Sequence, residues 1–151
     1  MKLATDGRTS LYSTPAGSGP HGIAFDAAGR LWLTLEFAGK IARLDENGNI
    51  VQDYNVCLNG NLDEINTRPH GLGIGGDGET IGFTGKATGT VGKIAPDGKV
   101  QHFALPSAGS VPIYIRNGPT TICGRRNWSE TPLLASPLTA KWPNSRFRPL
   151  I

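Results

Sequence analysis

Pro20-His21-Gly22-Ile23-Ala24-Phe25-Asp26 is written a second time, with small changes, as Pro69-His70-Gly71-Leu72-Gly73-Ile74-Gly75. The two copies stay in step downstream. Leu31-Trp32-Leu33-Thr34 answers Ile81-Gly82-Phe83-Thr84, and Gly39-Lys40-Ile41-Ala42-Arg43-Leu44 answers Gly89-Thr90-Val91-Gly92-Lys93-Ile94. Asn47-Gly48-Asn49-Ile50 then answers Asp97-Gly98-Lys99-Val100. The offset is 49 at the proline and 50 afterwards, so the second copy carries one extra residue before its second strand. Lys2-Leu3-Ala4-Thr5-Asp6-Gly7-Arg8 repeats Lys93 to Lys99, and another copy opens at Val111-Pro112-Ile113-Tyr114-Ile115, 43 residues after Pro69.

Each copy consists of short alternating runs cut by Gly, Asp-Gly or Asn-Gly, which is hairpin chemistry. Strands are expected at Gly22 to Phe25, Leu31 to Thr34, Lys40 to Leu44 and Ile50 to Tyr54. Four strands in about 40–50 residues make a β-propeller blade, whereas the coils of a β-solenoid are shorter. The expected fold is therefore all-β: four-stranded antiparallel blades, about two complete and parts of two more, over residues 1–119. Asn55 to Thr67 reads as a polar loop between blades, with at most a helical turn at Leu62 to Ile65. Ile23, Phe25, Trp32, Ile41 and Leu44 are the expected core. Asp26 and Asp97 are expected to hold turns through side chain to backbone hydrogen bonds. His102 reads as an exposed strand residue.

Composition agrees. Gly (21) and Pro (11) make up about a fifth of 151 residues, which excludes a helical bundle, and no Gly-X-Y period signals collagen. With 38% apolar and 18% charged residues, the chain can build a core. The net charge of +3 is unevenly spread. Five cations (Arg125, Arg126, Lys141, Arg146 and Arg148) face only Glu130 in residues 120–151, leaving the rest near −1. No basic stripe with interleaved aromatics exists, so nucleic acid is not an expected partner. Cys57 and Cys123 lie far apart outside any CxxC, so the cysteines suggest neither a zinc site nor a disulfide framework. No apolar run approaches the ~18 residues of a membrane span, and the first residues lack a signal core. The expectation is a soluble protein without a membrane partner, cytoplasmic by default.

The repeat stops at Thr120. Read one nucleotide earlier, the codons of residues 120–151 permit Asp-Asp-Asn-Met-Trp near Thr120 to Gly124, and Thr-Pro-Asp-Gly-Lys-Val at Pro137 to Trp142. That hidden Asp-Gly-Lys-Val falls 42 residues after Asp97, and the hidden tryptophan falls 12 after Pro112, as Trp32 falls 12 after Pro20. Residues 120–151 therefore read as an off-frame tail rather than a domain.

The blade pattern P-H-G-I-x-x-D-x-x-G-x-L-W-x-T…G-K-I-x-R-L-D-x-x-G resembles the virginiamycin B lyase (streptogramin lyase) family over residues 2–119. The resemblance implies a seven-bladed propeller with a magnesium-dependent site on its central face. The implied reaction opens the ester of a cyclic depsipeptide antibiotic by elimination. A base must remove a carbon-bound proton while a cation stabilises the developing enolate oxygen. It implies, too, that His21, in Gly19-Pro20-His21-Gly22, matches a catalytic position, His70 matches another, and Glu36, four residues after Trp32, matches a metal carboxylate. Gly19 stands where the family motif has glutamate, Arg68 precedes the second Pro-His-Gly, and Lys86 stands where the first copy has Glu36. The implied partner is a small macrocyclic ester.

Structural readings of the same residues stand beside these. A histidine after proline can cap a repeated turn, and Glu36 can be an ordinary surface carboxylate. At the level of function, a non-catalytic NHL-like binding propeller and a distant gluconolactonase-like, calcium-dependent hydrolase are the alternatives. The lactonase needs further Asp, Asn or Glu ligands at the axis. A closed ring of about seven blades needs nearly 300 residues, so this chain alone holds part of a site at most and is expected to be inactive. Its uncovered blades invite self-association.

Overall fold

The computed structural model describes residues 1–60 and 65–117, together with the strand 122–125. Twelve strands run in chain order: β1 (Lys2–Leu3), β2 (Thr9–Ser10), β3 (Pro20–Phe25), β4 (Leu31–Leu35), β5 (Lys40–Leu44), β6 (Ile50–Asn55), β7 (Pro69–Ile74), β8 (Ile81–Gly85), β9 (Thr90–Ile94), β10 (Val100–Ala104), β11 (Tyr114–Asn117) and β12 (Ile122–Arg125). They form two four-stranded sheets, β3-β4-β5-β6 and β7-β8-β9-β10, flanked by the two-stranded sheets β1-β2 and β11-β12. Neighbours pair antiparallel and in sequence order, the meander of a propeller blade. β12 extends the described sheets past residue 120. The rest of the off-frame segment, and most of the helical turn expected at Leu62 to Ile65, lie outside the described residues.

Aspartates shape the hairpins as expected. Asp26 Oδ1 accepts from the amides of Ala28 (3.0 Å) and Arg30 (2.9 Å), and Asp97 Oδ1 accepts from that of Lys99 (3.0 Å). Asp45 does the same for Asn47 and Asn49, and Asp77 for Glu79 and Thr80. Asp26 does more than hold a turn. Its Oδ2 also accepts from Arg30 Nε at 2.6 Å and from Trp32 Nε1 at 2.8 Å, with its side chain only 1% exposed.

The main core lies between the two full blades: Trp32, Ile41 and Val56 pack against Leu72, Ile74, Ile81, Phe83 and Ile94. A smaller cluster of Leu33, Leu35 and Ala42 sits on the other face of the first blade, with Leu44 and Ile50 packed on it. Trp32 and Ile41 are therefore core as expected, and Leu44 is half-buried. Ile23 and Phe25 are not core. They are 63% and 65% exposed, because nothing among the described residues covers the end of that face. His102 also departs from expectation. It stands opposite Gly92, which in turn stands opposite Phe83, and Gly92 leaves the room that the Phe83 ring fills. His102 meets that ring edge-on at 5.4 Å, and both its ring nitrogens are buried without a hydrogen-bond partner.

Candidate functional site

The Pro-His-Gly motifs are bulges inside the innermost strands rather than turns ahead of them. In β3 the pairing runs Pro20 with Leu35 and then Ile23 with Leu33, so one extra residue is accommodated at His21-Gly22. β7 repeats the irregularity between Pro69 and Leu72. A bulge leaves an amide off the ladder and re-aims a side chain. Here the amide finds a threonine: Gly22 N–H donates to Thr34 Oγ1 at 2.6 Å, and Gly71 N–H donates to Thr84 Oγ1 at 2.8 Å. Thr34 Oγ1 in turn donates to the carbonyl of His70 at 3.1 Å, tying the two blades at their inner edge. The glycine is required by this approach. A Cβ on Gly22 would lie 2.5 Å from His70 O, a backbone atom with little freedom to yield.

This join brings the expected residues together. The rings of His21 and His70 lie 3.5 Å apart between centroids, tilted by 35°. Glu36, just past β4, is anchored by its own amide on Gly19 O at 2.8 Å and is buried. Its Oε2 lies 4.0 Å from His70 Nε2. Ligand atoms of His21, Glu36 and His70 all fall within 4.8 Å of one another. His70 Nδ1 sits 2.9 Å from the carbonyl of Ile113, which can only accept, so Nδ1 carries a proton and Nε2 is turned toward Glu36. Enclosure beside β7 holds the His21 imidazole below its ordinary value although part of the residue is open to solvent. His70 adds to this, and Glu36 pulls the other way.

Lys86 completes the cluster. Its Nζ donates to Glu36 Oε1 at 3.0 Å, so the residue that replaces the carboxylate in the second copy reaches across to the carboxylate of the first. Sequence reasoning noted the replacement but not the pairing, which needs the blade-to-blade geometry. It also assigned no role to Thr34 and Thr84, although their recurrence at one place in both copies was a usable signal. The Ile113 carbonyl left none, since a backbone atom has no residue identity. Gly19 and Arg68, equivalent in the repeat, both hold positive φ (63° and 50°). That position therefore has a backbone requirement.

Magnesium does not fit these residues by themselves. It demands near-octahedral oxygen ligation and is usually held by one or two carboxylates plus waters. The cluster offers two imidazoles and one carboxylate, and an ammonium already engages that carboxylate. The described residues add no second carboxylate to the group.

Bladed sheets meeting along their inner edges, with two histidines and a carboxylate gathered there, define the class as a β-propeller fold. The virginiamycin B lyase family model matches residues 1–121, and the chain belongs to that family. Among solved structures it is similar to a selenomethionine-substituted virginiamycin B lyase from Staphylococcus aureus. The identity is 23% and the TM-score 0.67, with 95% of this chain and 49% of that one covered. A catalytically inactive lyase from the same organism, solved with quinupristin, is 26% identical (TM-score 0.65, 91% and 48% covered). A putative 6-phosphogluconolactonase from Bacteroides uniformis shares the fold alone, at 15% identity and a TM-score of 0.61, over 92% of this chain and 47% of that one. The chain thus spans about half the length of these structures. No curated protein sequence matches it. No helix among the described residues is long and apolar enough to cross a membrane.

Proposed function

We propose that this chain carries part of the site of a carbon–oxygen lyase that opens a macrocyclic ester of the streptogramin B class by elimination. The observation that supports this best is the pairing of two Pro-His-Gly bulges across adjacent blades in a member of this family. The pairing sets His21 and His70 beside the buried Glu36. His21, open to solvent on one side and held toward its neutral form, is the base that takes the carbon-bound proton. The C–H electron pair becomes a C=C bond, the ester C–O bond breaks, and the carboxylate departs. His70, clamped through Nδ1 on the Ile113 carbonyl, positions His21 by ring contact. The magnesium implied by the family resemblance would supply Lewis-acid stabilisation of an enolate oxygen; Glu36 would be one of its oxygen ligands, and the others would come from beyond these three residues.

A binding propeller is the second reading, favoured by the Lys86–Glu36 ion pair, which occupies the one carboxylate of the cluster. The test begins with the codons around Asn117 to Thr121, where restoring one base should yield Asp-Asp-Asn-Met-Trp. The repaired gene product is then incubated with a type B streptogramin with and without magnesium, and the antibiotic is followed by chromatography and mass. A linear product of unchanged mass is expected, and its loss in His21→Ala confirms the base. A gain of one water means hydrolysis and overturns the proposal. An intact ring at high protein concentration leaves the binding reading.

A further inference from the structure

We infer that His21, Glu36 and His70 form a site for a borderline divalent transition metal such as zinc or cobalt(II), one that discriminates against magnesium, with Lys86 as a built-in competitor for the carboxylate. The inference concerns the cluster of the lyase reading but stands on ligand chemistry alone: a protein without lyase activity can still possess the site, and the metal-loaded form, with the His21 lone pair engaged, is not the form in which His21 acts as base.

The donor set is the first argument. Two imidazole nitrogens and one carboxylate oxygen suit zinc, cobalt or nickel, which accept nitrogen readily, and suit magnesium poorly. Orientation is the second. A histidine that ligates through Nε2 characteristically gives its Nδ1–H to a carbonyl or carboxylate, which fixes the tautomer and the ring plane. His70 does this on Ile113 O at 2.9 Å, and its Nε2 faces Glu36 Oε2 at 4.0 Å. Donors around a metal with bonds of about 2.1 Å lie roughly 3.0–3.4 Å apart, so loading draws a set spread over up to 4.8 Å together by at most about 1.8 Å.

Access and competition are the third. His21 is exposed, so an ion can enter from its side, while Glu36 is buried with its side chain 6% exposed. Lys86 is one-third exposed and long enough to withdraw into water, whereas Glu36 and His70 are held by backbone contacts. Binding therefore exchanges the Lys86 ammonium for the metal at Glu36 Oε1. A weakly held, strongly hydrated magnesium ion gains too little from two imidazoles to make that exchange.

The test uses the full 151-residue chain. Cobalt(II) is titrated in and followed by its visible absorption, and zinc is then added in competition. One equivalent of cobalt is expected to bind, with zinc displacing it and millimolar magnesium leaving the spectrum unchanged. His21→Gln and Glu36→Gln should each weaken zinc binding by at least about tenfold, and Lys86→Met should tighten it by a similar factor. Circular dichroism shows which variants keep the fold. Lys86→Met and His21→Gln alter exposed or half-exposed side chains, so they stay informative if Glu36→Gln does not fold. Displacement of cobalt by magnesium overturns the inference. Failure of Lys86→Met to take up cobalt, or zinc affinity unchanged in His21→Gln, does so equally. Because the readout is occupancy rather than turnover, a silent lyase assay leaves this result standing.

Discussion

Asp26 gathers four donors onto one buried carboxylate: two backbone amides, the Arg30 guanidinium and the Trp32 indole. Burial is the largest single influence and opposes ionisation. The Trp32 and Arg30 hydrogen bonds together outweigh it and hold the carboxyl below its ordinary value of 3.8. Asp26→Ala strands the indole N–H in the core, and chemical denaturation should show a loss of about 3 kcal/mol. With its folded pKa depressed, the Asp26 contribution is complete above the ordinary value and disappears as pH falls through the folded one. His102 acts in a higher window. Burial lowers its pKa, so the folded chain keeps it neutral while the unfolded chain takes up a proton below about 6.5. Stability should begin to fall as pH drops past that value. In His102→Leu this upper step should shrink to the part that His21 contributes, and neutral-pH stability should rise by about 1 kcal/mol because no unsatisfied polar ring remains. A denaturation series from neutral to acid pH, run on both variants, separates the two windows.

At the scale of elements, strands were legible because alternation and Asp-Gly turns are local signals. β4, β5 and β6 begin and end within a residue or so of where the sequence places them. Faces were legible too, but not their coverage. Ile23 and Phe25 alternate like core residues, yet burial depends on what packs against that face, which no local pattern records. His102 fails the opposite way: a polar residue in an alternating strand reads as exposed until Gly92 lets Phe83 reach it. The Pro-His-Gly bulge was read as a turn, since one extra residue in a strand leaves the composition unchanged. That bulge sets the site, and Gly22→Ala tests it. The new Cβ meets His70 O, forcing β3 and β7 apart. Unfolding measurements should register a loss of about 1–3 kcal/mol. The same variant should bind cobalt(II) more weakly than the parent, because His21 moves away from His70.

For the whole molecule, the repeat carried the fold class, and family membership followed from the same residues. The site was legible only in part. His21, Glu36 and His70 were found by motif, but their convergence depends on which blades are neighbours. The role of Lys86 depends on a contact spanning fifty residues of sequence. Exposed apolar side chains accumulate on the early strands and on the uncovered blade face: Leu3, Leu11, Ile23 and Phe25 are all more than 60% exposed. Such surface, next to unpaired strand edges, favours association. Light scattering on the isolated chain should give a mass above 16.0 kDa that rises with concentration. A concentration-independent monomer melting in one cooperative step would count against this.

The central claim is that adjacent inner strands stack His21 on His70 and clamp His70 through its Nδ1–H. Nitrogen-15 NMR of the imidazoles at neutral pH, in metal-free buffer, tests it most directly. The account predicts a His70 ring carrying a proton at Nδ1, with nuclear Overhauser contacts between the His21 and His70 ring protons. A His70 ring protonated at Nε2 alone, without contacts to His21, would contradict it.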